Sequence, residues 1–364
     1  MIKEAEHYKP IMPDQLDKHI NLLNAPNGII NLTSGELMPH NREKYLTKIT
    51  NSEYADDYDA PLWGKFLNEI FNGDKELIRF LQKAVGYSLT GSTKEDCLFI
   101  CYGGGRNGKG TFLNTLADIL GGYAINIQPE TIMAKTNYSN GPTSDIARMM
   151  GARFVTVPEP NEGARLNEGL VKQMTGGDML TACRKYEDEF EFKPEFKIWM
   201  MTNHKPKIYG TDVGIWSRIR LIPFTVHIPD EKADRKLRQN LMRESPGILK
   251  WAVDGCSLWQ REGLGMPEAV RAATAEYKTE MDTFAAFLNE CCVMCNEYTS
   301  KKILYEAYLR WAESNKEKPF TNRKWGIEMQ KRFKDGHSGS VEYYTGIKVK
   351  PEYAPYSVTI GGEN

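Results

Sequence analysis

The stretch CYGGGRNGKGTFLN, Cys101 to Asn114, sets a run of glycines, an Arg, an Asn and a Lys between an apolar segment, CLFICY, and a segment with helical spacing, TFLNTLADIL. Glycine that dense is costly in an ordered backbone, so the chain must need bare backbone there. Gly103, Gly104, Gly105, Arg106, Asn107, Gly108, Lys109, Gly110 and Thr111 fit G-x-x-x-x-G-K followed by Gly-Thr, after a buried strand and before a helix. This is the P-loop pattern. Its glycines let backbone N–H groups close around phosphate oxygens, the helix N-terminus at Lys109 adds partial positive charge, and the ammonium reaches the β- and γ-phosphates. The chemistry is nucleoside triphosphate binding, with ATP and Mg²⁺ expected as cofactors. The hydroxyl that usually follows the Lys and ligates Mg²⁺ is replaced by Gly110, and the first hydroxyl is Thr111. Either Thr111 substitutes for it as metal ligand, or water completes the shell. A glycine turn with an incidental Lys is the competing reading, and the flanking strand and helix weigh against it.

Hydrolysis also needs carboxylates that hold Mg²⁺ and polarise water, at the end of a neighbouring buried strand. ARFVTV ends in Pro158, Glu159, Pro160, Asn161 and Glu162. In isolation this would read as a solvated acidic turn, but with a P-loop upstream it assigns Glu159 to metal and water, with Glu162 as second acid. FKIWMMTNHKP reads as a buried strand ending in Asn203, whose side chain can contact a γ-phosphate and the lytic water. GIWSRIRLIPF places Arg218 and Arg220 just before the last strand. Alone these would be surface arginines; in a ring of ATPases one would reach a neighbouring subunit's phosphates as an arginine finger.

These residues need an α/β layer to position them. Between about Cys97 and Ile228, the strand-like runs CLFICY, ARFVTV, FKIWMMT and IRLIPFTV alternate with helical segments, which predicts a mainly parallel sheet. Before it, NGIINL, TSGE and LMPH read as a hairpin, followed by two amphipathic helices, APLWGKFLNEIF and DKELIRFLQKAVGY. Helices dominate again to about Cys295. The tail TSKKILYEAYLRWAES, TNRKWGIEMQKRF and VEYYTGIKVK reads helix, helix, strand pair, which suggests a winged helix. Three domains are expected: 1–91, small and mainly helical; 92–285, the ATPase; 286–364, winged-helix-like.

The 364 residues carry 47 Lys+Arg and 48 Asp+Glu, so no global charge pulls the chain toward nucleic acid. The distribution is uneven: Asn296 to Lys350 hold 12 basic against 7 acidic residues, a local +5 that leaves −6 for the rest. Seven cysteines, no apolar run of bilayer length and no signal-peptide core in MIKEAEHYKP predict an intracellular, cytoplasmic chain without membrane partners. Cys291, Cys292 and Cys295 lack a fourth metal ligand at suitable spacing and read as core thiols.

As an ordered set, NGIINLTSGELMPH, GGGRNGKGTFLN, EPNEGARLNEGLVKQMTGGD, FEFKPEFKIWMMTNHKP, GTDVGIWSRIRLIPF and PGILKWAVDGCSLW cover roughly residues 25 to 295. The chain resembles the superfamily 3 helicases of the AAA+ class, in particular the helicase part of phage and plasmid primase-helicases related to the poxvirus primase-helicase. That resemblance implies a homo-oligomeric ring, a hexamer, moving on single-stranded and forked DNA at the expense of ATP. Three departures stand out. Pro160 separates Glu159 from the next acid, Cys183 stands where relatives have Arg, and Ser217 replaces the first of two arginines, leaving Arg218 as the finger and Arg220 behind it.

The resemblance also implies a hairpin directed into the ring's channel, here from about Met179 to Phe192. Arg184, Lys185 and Tyr186 are its DNA candidates, with EDEFE as an acidic turn beside them. Lys205 and Lys207 are placed to contribute. In the tail, Arg323, Lys324 and Lys331 would meet duplex phosphates if the winged helix binds DNA; otherwise they form a solvated basic face. No primase constellation is recognisable, so a primase domain or protein is an expected partner, and the chain is either a piece of a longer protein or a stand-alone motor. A loader, initiator or packaging ATPase is the competing function.

Overall fold

A computed structural model of the chain describes residues 11, 15–134, 144–210 and 213–355; the MIKEAEHYKP segment lies outside the described residues. Packing divides the chain into two units, Met1–Tyr277 and Lys278–Asn364.

The first unit opens with an antiparallel meander of β1 (Leu22–Ala25), β2 (Gly28–Asn31) and β3 (Leu37–Met38). The expected hairpin is β2–β3; β1, four residues long, carries too little pattern to be read. Helices α1 (Pro61–Ile70) and α2 (Lys75–Leu89) follow, each burying one stripe: Trp63, Phe66, Leu67 and Ile70 in the first, Leu77, Phe80, Leu81, Ala84 and Val85 among those of the second. Asp74 caps α2 by accepting from Leu77 N at 2.9 Å. The N-terminus of α1 is capped from far away in the chain, by Glu244, whose carboxylate accepts from Leu62 N and Trp63 N at 3.1 Å each.

The α/β layer comprises β4 (Leu98–Tyr102), α3 (Lys109–Leu120), β5 (Ala124–Asn126), α4 (Ser144–Arg148), β6 (Phe154–Val157), α5 (Glu168–Gly176), β7 (Leu180–Cys183), β8 (Glu189–Phe192), β9 (Lys197–Thr202), α6 (Val213–Trp216) and β10 (Ile219–Pro223). One five-stranded sheet runs β10–β4–β9–β6–β5, every neighbouring pair parallel. Strands covered on both faces read as unbroken apolar runs, which is why β4, β6, β9 and β10 are legible in the sequence and the three-residue edge strand β5 is not. Three helices, α7 (Leu237–Arg243), α8 (Ser245–Glu262) and α9 (Glu268–Met281), complete this region. Among the described residues no helix is long and apolar enough to cross a membrane.

The expected division at residue 91 does not fall at a break in packing. A single cluster of buried side chains joins Leu23, Trp63 and Leu81 to Phe99, Trp199 and Trp259. Helices α2 and α8 touch backbone to backbone, because a Cβ on Gly86 would lie 2.0 Å from Cys256 N and one on Gly255 2.0 Å from Gln82 O. At the starts of β6 and β9, the buried Arg153 and Lys197 bind the end of α2 to the sheet. Arg153 donates to the carbonyls of Leu89 (2.8 Å) and His19 (3.1 Å), and Lys197 to those of Thr90, Ser92 (3.2 Å) and Glu195 (3.0 Å). Periodicity gives each helix its apolar stripe but not the element that covers it. Gly86→Ala is therefore expected to destabilise the first unit by about 3 kcal/mol, since the clash is with backbone and no rotamer relieves it. Thermal unfolding by circular dichroism should show a midpoint roughly 5–10 °C lower; an unchanged midpoint would mean that the two helices part without cost.

The second unit orders α10 (Thr283–Cys291), β11 (Cys292–Ser300), α11 (Lys301–Ser314), α12 (Asn322–Gln330), β12 (Asp335–Ser338) and β13 (Val341–Val349), with an antiparallel sheet β11–β13–β12. Its boundary lies at 277/278 rather than 285/286 because Phe284 and Phe287 of α10 pack with Tyr308, Trp311 and Trp325. The expected helix, helix, hairpin order is present, but VEYYTGIKVK forms one strand, β13, paired with β12 and with β11, whose first residues fall where the sequence predicts the end of a helical run. On α12, Trp325 and Met329 are buried, Arg323 is exposed, and Thr321 caps the N-terminus by accepting from Lys324 N; in the turn beyond it, Phe333 is partly buried and Lys331 and Lys334 are exposed. Cys291 and Cys292 are buried, and burial pushes both thiols up to about 12.

Candidate nucleotide site and nucleic-acid surfaces

Gly103 follows β4, Asn203 follows β9 and Glu159 lies two residues past β6, on adjacent strands running in one direction, with Tyr102 opposite Thr202 and Val157 opposite Met200. The carboxyl ends of parallel strands are where open α/β sheets take ligands. The loop bends through left-handed backbone at Gly105 (φ +88°), Arg106 (+49°) and Gly108 (+83°). Around Gly104 and Gly105 a Cβ would meet nothing within 4 Å, so this side of the loop is open. Gly103 is needed for the opposite reason, since its Cβ would lie 2.2 Å from Phe224 O. Asn107 is buried and donates to that same carbonyl at 3.2 Å, and Ile228 N donates to Arg106 O at 2.7 Å, so the chain leaving β10 braces the loop.

Gly108 caps α3 with no side-chain bond, which leaves first-turn N–H groups to face an anion. Lys109 is buried, and its Nζ donates to Gly103 O at 2.5 Å and Asn203 Oδ1 at 2.9 Å. Asn203 in turn donates from its backbone N to Glu159 Oε1 and from Nδ2 to Oε2, both at 2.8 Å. Lys109, Asn203 and Glu159 thus form one polar chain across three strand ends. Burial pulls the Lys109 ammonium below its ordinary value, and Cys101 and Glu159 act against that pull. Beside the loop a cleft of about 870 Å³ has Leu62, Phe66 and Leu237 among its walls, with Arg106, Gly108 and Thr111 on the loop side, a size suited to a small molecule. Arg106 and Asp230, both on that lining, form an ion pair. Sequence reasoning missed these walls because the residues lie far apart in the chain. Open glycines, uncapped N–H groups and a buried Lys fit a nucleoside triphosphate.

The other assigned residues fall elsewhere. Glu162 is exposed and makes no hydrogen bond among the described residues, so it stays outside the polar chain. Thr111 faces the cleft. Arg218 and Arg220 sit at the start of β10, Arg220 opposite Phe99 and Arg218 two residues earlier, so about 13–20 Å of strand separates them from their own loop. Arg218 donates to Thr175 Oγ1 (3.1 Å) and Gly214 O (2.6 Å), and Arg220 to the carbonyls of Ser217 (2.6 Å) and Ile219 (3.1 Å).

The expected hairpin is present as β7–β8, antiparallel. Tyr186 stands at its tip in left-handed backbone (φ +68°) and is 91% exposed, with Lys185 Nζ 4.9 Å from its ring. Arg184 is engaged by Glu187 at 3.3 Å and lies over Phe190. Lys205 packs over the rings of Tyr102 and Tyr277, at the nucleotide end of the sheet rather than on the hairpin. In the second unit Lys324 lies 3.9 Å over Phe320, Lys331 pairs with Glu328 at 2.6 Å, and Arg323 is exposed. Glu328 is 4% exposed and also holds Arg332 at 2.8 Å. Burial works to raise its pKa, but the bonds from Lys331 and Arg332 prevail and hold it below the usual carboxylate range. The i, i+3 and i, i+4 spacing in EMQKR carries that signal.

The fold and its strand ends define an α/β protein with a glycine-rich P-loop at the carboxyl end of an interior strand of a parallel sheet. Residues 1–72 match the family described as D5 N terminal like, and residues 101–218 match a family of unknown function, DUF5906. The chain is 26% identical over 342 residues to "Putative helicase L207/L206" of Acanthamoeba polyphaga mimivirus, covering 86% of this chain and 35% of that protein. It is 26% identical over 261 residues to "Putative helicase 022R" of Frog virus 3, covering 66% and 27%. It is 24% identical over 337 residues to "Putative primase C962R" of African swine fever virus, covering 82% and 34%. The chain therefore spans about a third of the length of these curated relatives. The apo structure of the NrS-1 C terminal region (305-718) superposes with a TM-score of 0.51 at 12% identity, over 82% of this chain and 78% of that one, a likeness of fold. The chain is thus similar to viral proteins named as putative helicases or primases, in line with the resemblance its ordered motifs carry, and none of these matches is specific to superfamily 3.

Proposed function

We propose that the chain is the ATP-hydrolysing motor of a replication helicase, acting on single-stranded and forked DNA as a homo-oligomeric ring, with a primase domain or protein as partner. The observation that carries this reading is the polar chain from Lys109 through Asn203 to Glu159 at three adjacent strand ends. ATP would supply the scissile anhydride, and Mg²⁺ would neutralise charge on its phosphates. Lys109 would exchange the Gly103 carbonyl for β/γ-phosphate oxygens, Asn203 would orient the attacking water, and Glu159 would polarise that water and help to hold the metal. Arg218 lies too far from its own loop to serve it, which supports a role toward a neighbouring subunit, and the exposed Tyr186 beside Lys185 offers a stacking platform for a nucleobase. Cations of both the tail and the hairpin are engaged by their own carboxylates and rings, and it is the exposed ring of Tyr186 that favours the hairpin over the tail as the main DNA contact.

The test is displacement of the labelled strand from a forked duplex with ATP. ATP-dependent displacement, lost without hydrolysis, is the expected result. DNA-stimulated hydrolysis without displacement would select the loader, initiator or packaging reading instead.

A further inference from the structure

The loop departs from its pattern at one position, and the structure shows what stands there. The residue after the P-loop Lys is Gly110, where a hydroxyl usually ligates Mg²⁺. Thr111, the next hydroxyl, is about 100° further round α3 and lines the cleft with Leu62, Phe66 and Leu237. Residues four apart share a helix face, and the later side chain leans back over the earlier one. A Cβ placed on Gly110 would meet one atom within 4 Å, Asn114 Nδ2 at 3.9 Å. Asn114 is half-buried between the buried Leu113 and Thr115, and its amide makes no hydrogen bond among the described residues. Helix α3 packs on β6 and β9, the strands that lead to Glu159 and Asn203.

We propose that Asn114 supplies, across the space left by Gly110, the polar contact toward the nucleotide's Mg²⁺ that a hydroxyl at position 110 would otherwise make. The proposal rests on the nucleotide-site reading above. A half-turn of the amide presents Oδ1 where Nδ2 now stands, and amide oxygen is a hard donor suited to Mg²⁺ or to a water in its shell. The role is one of positioning the metal.

The experiment is a Mg²⁺ titration of the binding of a fluorescent ATP analogue, with EDTA as the metal-free reference. Asn114→Ala is expected to raise the Mg²⁺ concentration for half-maximal effect about 10-fold while leaving the affinity in EDTA unchanged. Asn114→Asp, which keeps the size and adds charge, should lower that concentration, and Gly110→Ser should restore Asn114→Ala. Should Asn114→Ala not fold by circular dichroism, Asn114→Asp and Gly110→Ser/Asn114→Asp decide: the first should tighten Mg²⁺ dependence and the second should differ little from Gly110→Ser alone. The proposal is overturned if Asn114→Ala keeps the wild-type Mg²⁺ midpoint, if it loses affinity equally in EDTA, if Asn114→Asp leaves the midpoint unmoved, or if Thr111→Val is the variant whose midpoint moves. Analogue binding that is absent in the wild type, or unchanged in Lys109→Ala, removes the nucleotide site itself and is a different outcome.

Discussion

Lys109→Ala is expected to reduce ATP hydrolysis at least about 100-fold and to weaken ATP binding by about 10- to 100-fold. The ammonium is the only cation bonded into the polar chain at the three strand ends among the described residues, and burial has already removed much of its water. A triphosphate offers it charged oxygens in place of the neutral Gly103 carbonyl, so its interaction strengthens on binding. Alanine at 109 is compatible with the first turn of α3, because Phe112, Leu113 and Leu116 continue to anchor the helix. The loss should therefore appear in calorimetric binding and in turnover, with the thermal midpoint close to wild type. Unchanged turnover would exclude this loop as the nucleotide site.

Glu159→Gln should separate binding from chemistry. The carboxylate accepts two hydrogen bonds from Asn203, and glutamine can accept only one of them. If Asn203 rotates its amide to receive the new donor, it turns Nδ2 toward Lys109, which is also a donor, so the polar chain cannot be fully satisfied. The variant should hold nucleotide about as tightly as the wild type while turnover falls by about 100-fold or more, the usual range for a lost general base. Glu162→Gln should resemble the wild type, because Glu162 is exposed and outside the chain of bonds. A dead Glu162 variant beside an active Glu159 one would reverse the assignment.

What was legible in the sequence is what the chain encodes locally. Five glycines and a Lys within nine residues, set between a strand and a helix, specify the loop without help from elsewhere. Glu159 and Asn203 were readable because each follows an unbroken apolar run, and the parallel register then brings both to the level of Gly103. Hairpin β7–β8 was implied by the family resemblance rather than by a local apolar pattern, whereas the helix α12 was legible from the spacing of its own residues. What escaped depends on partners distant in sequence. Glu244 caps a helix that begins at Pro61, Gly86 is required by Cys256, and the cleft joins Leu62 to Leu237. Nor does the sequence show that the rings of Tyr102 and Tyr277 lie under Lys205, or that the Glu328 holding Lys331 is buried. The domain boundaries moved for a related reason: periodicity marks where an apolar face exists but not which element covers it.

The Gly103–Thr111 loop and Glu159 are expected to hydrolyse a nucleoside triphosphate in response to DNA. The most direct test of that expectation is steady-state phosphate release from ATP by the unmodified chain, with and without single-stranded DNA, in Mg²⁺ and in EDTA. Release that requires Mg²⁺ and rises several-fold with single-stranded DNA is the predicted result; release that ignores DNA, or none under any of these conditions, would contradict it.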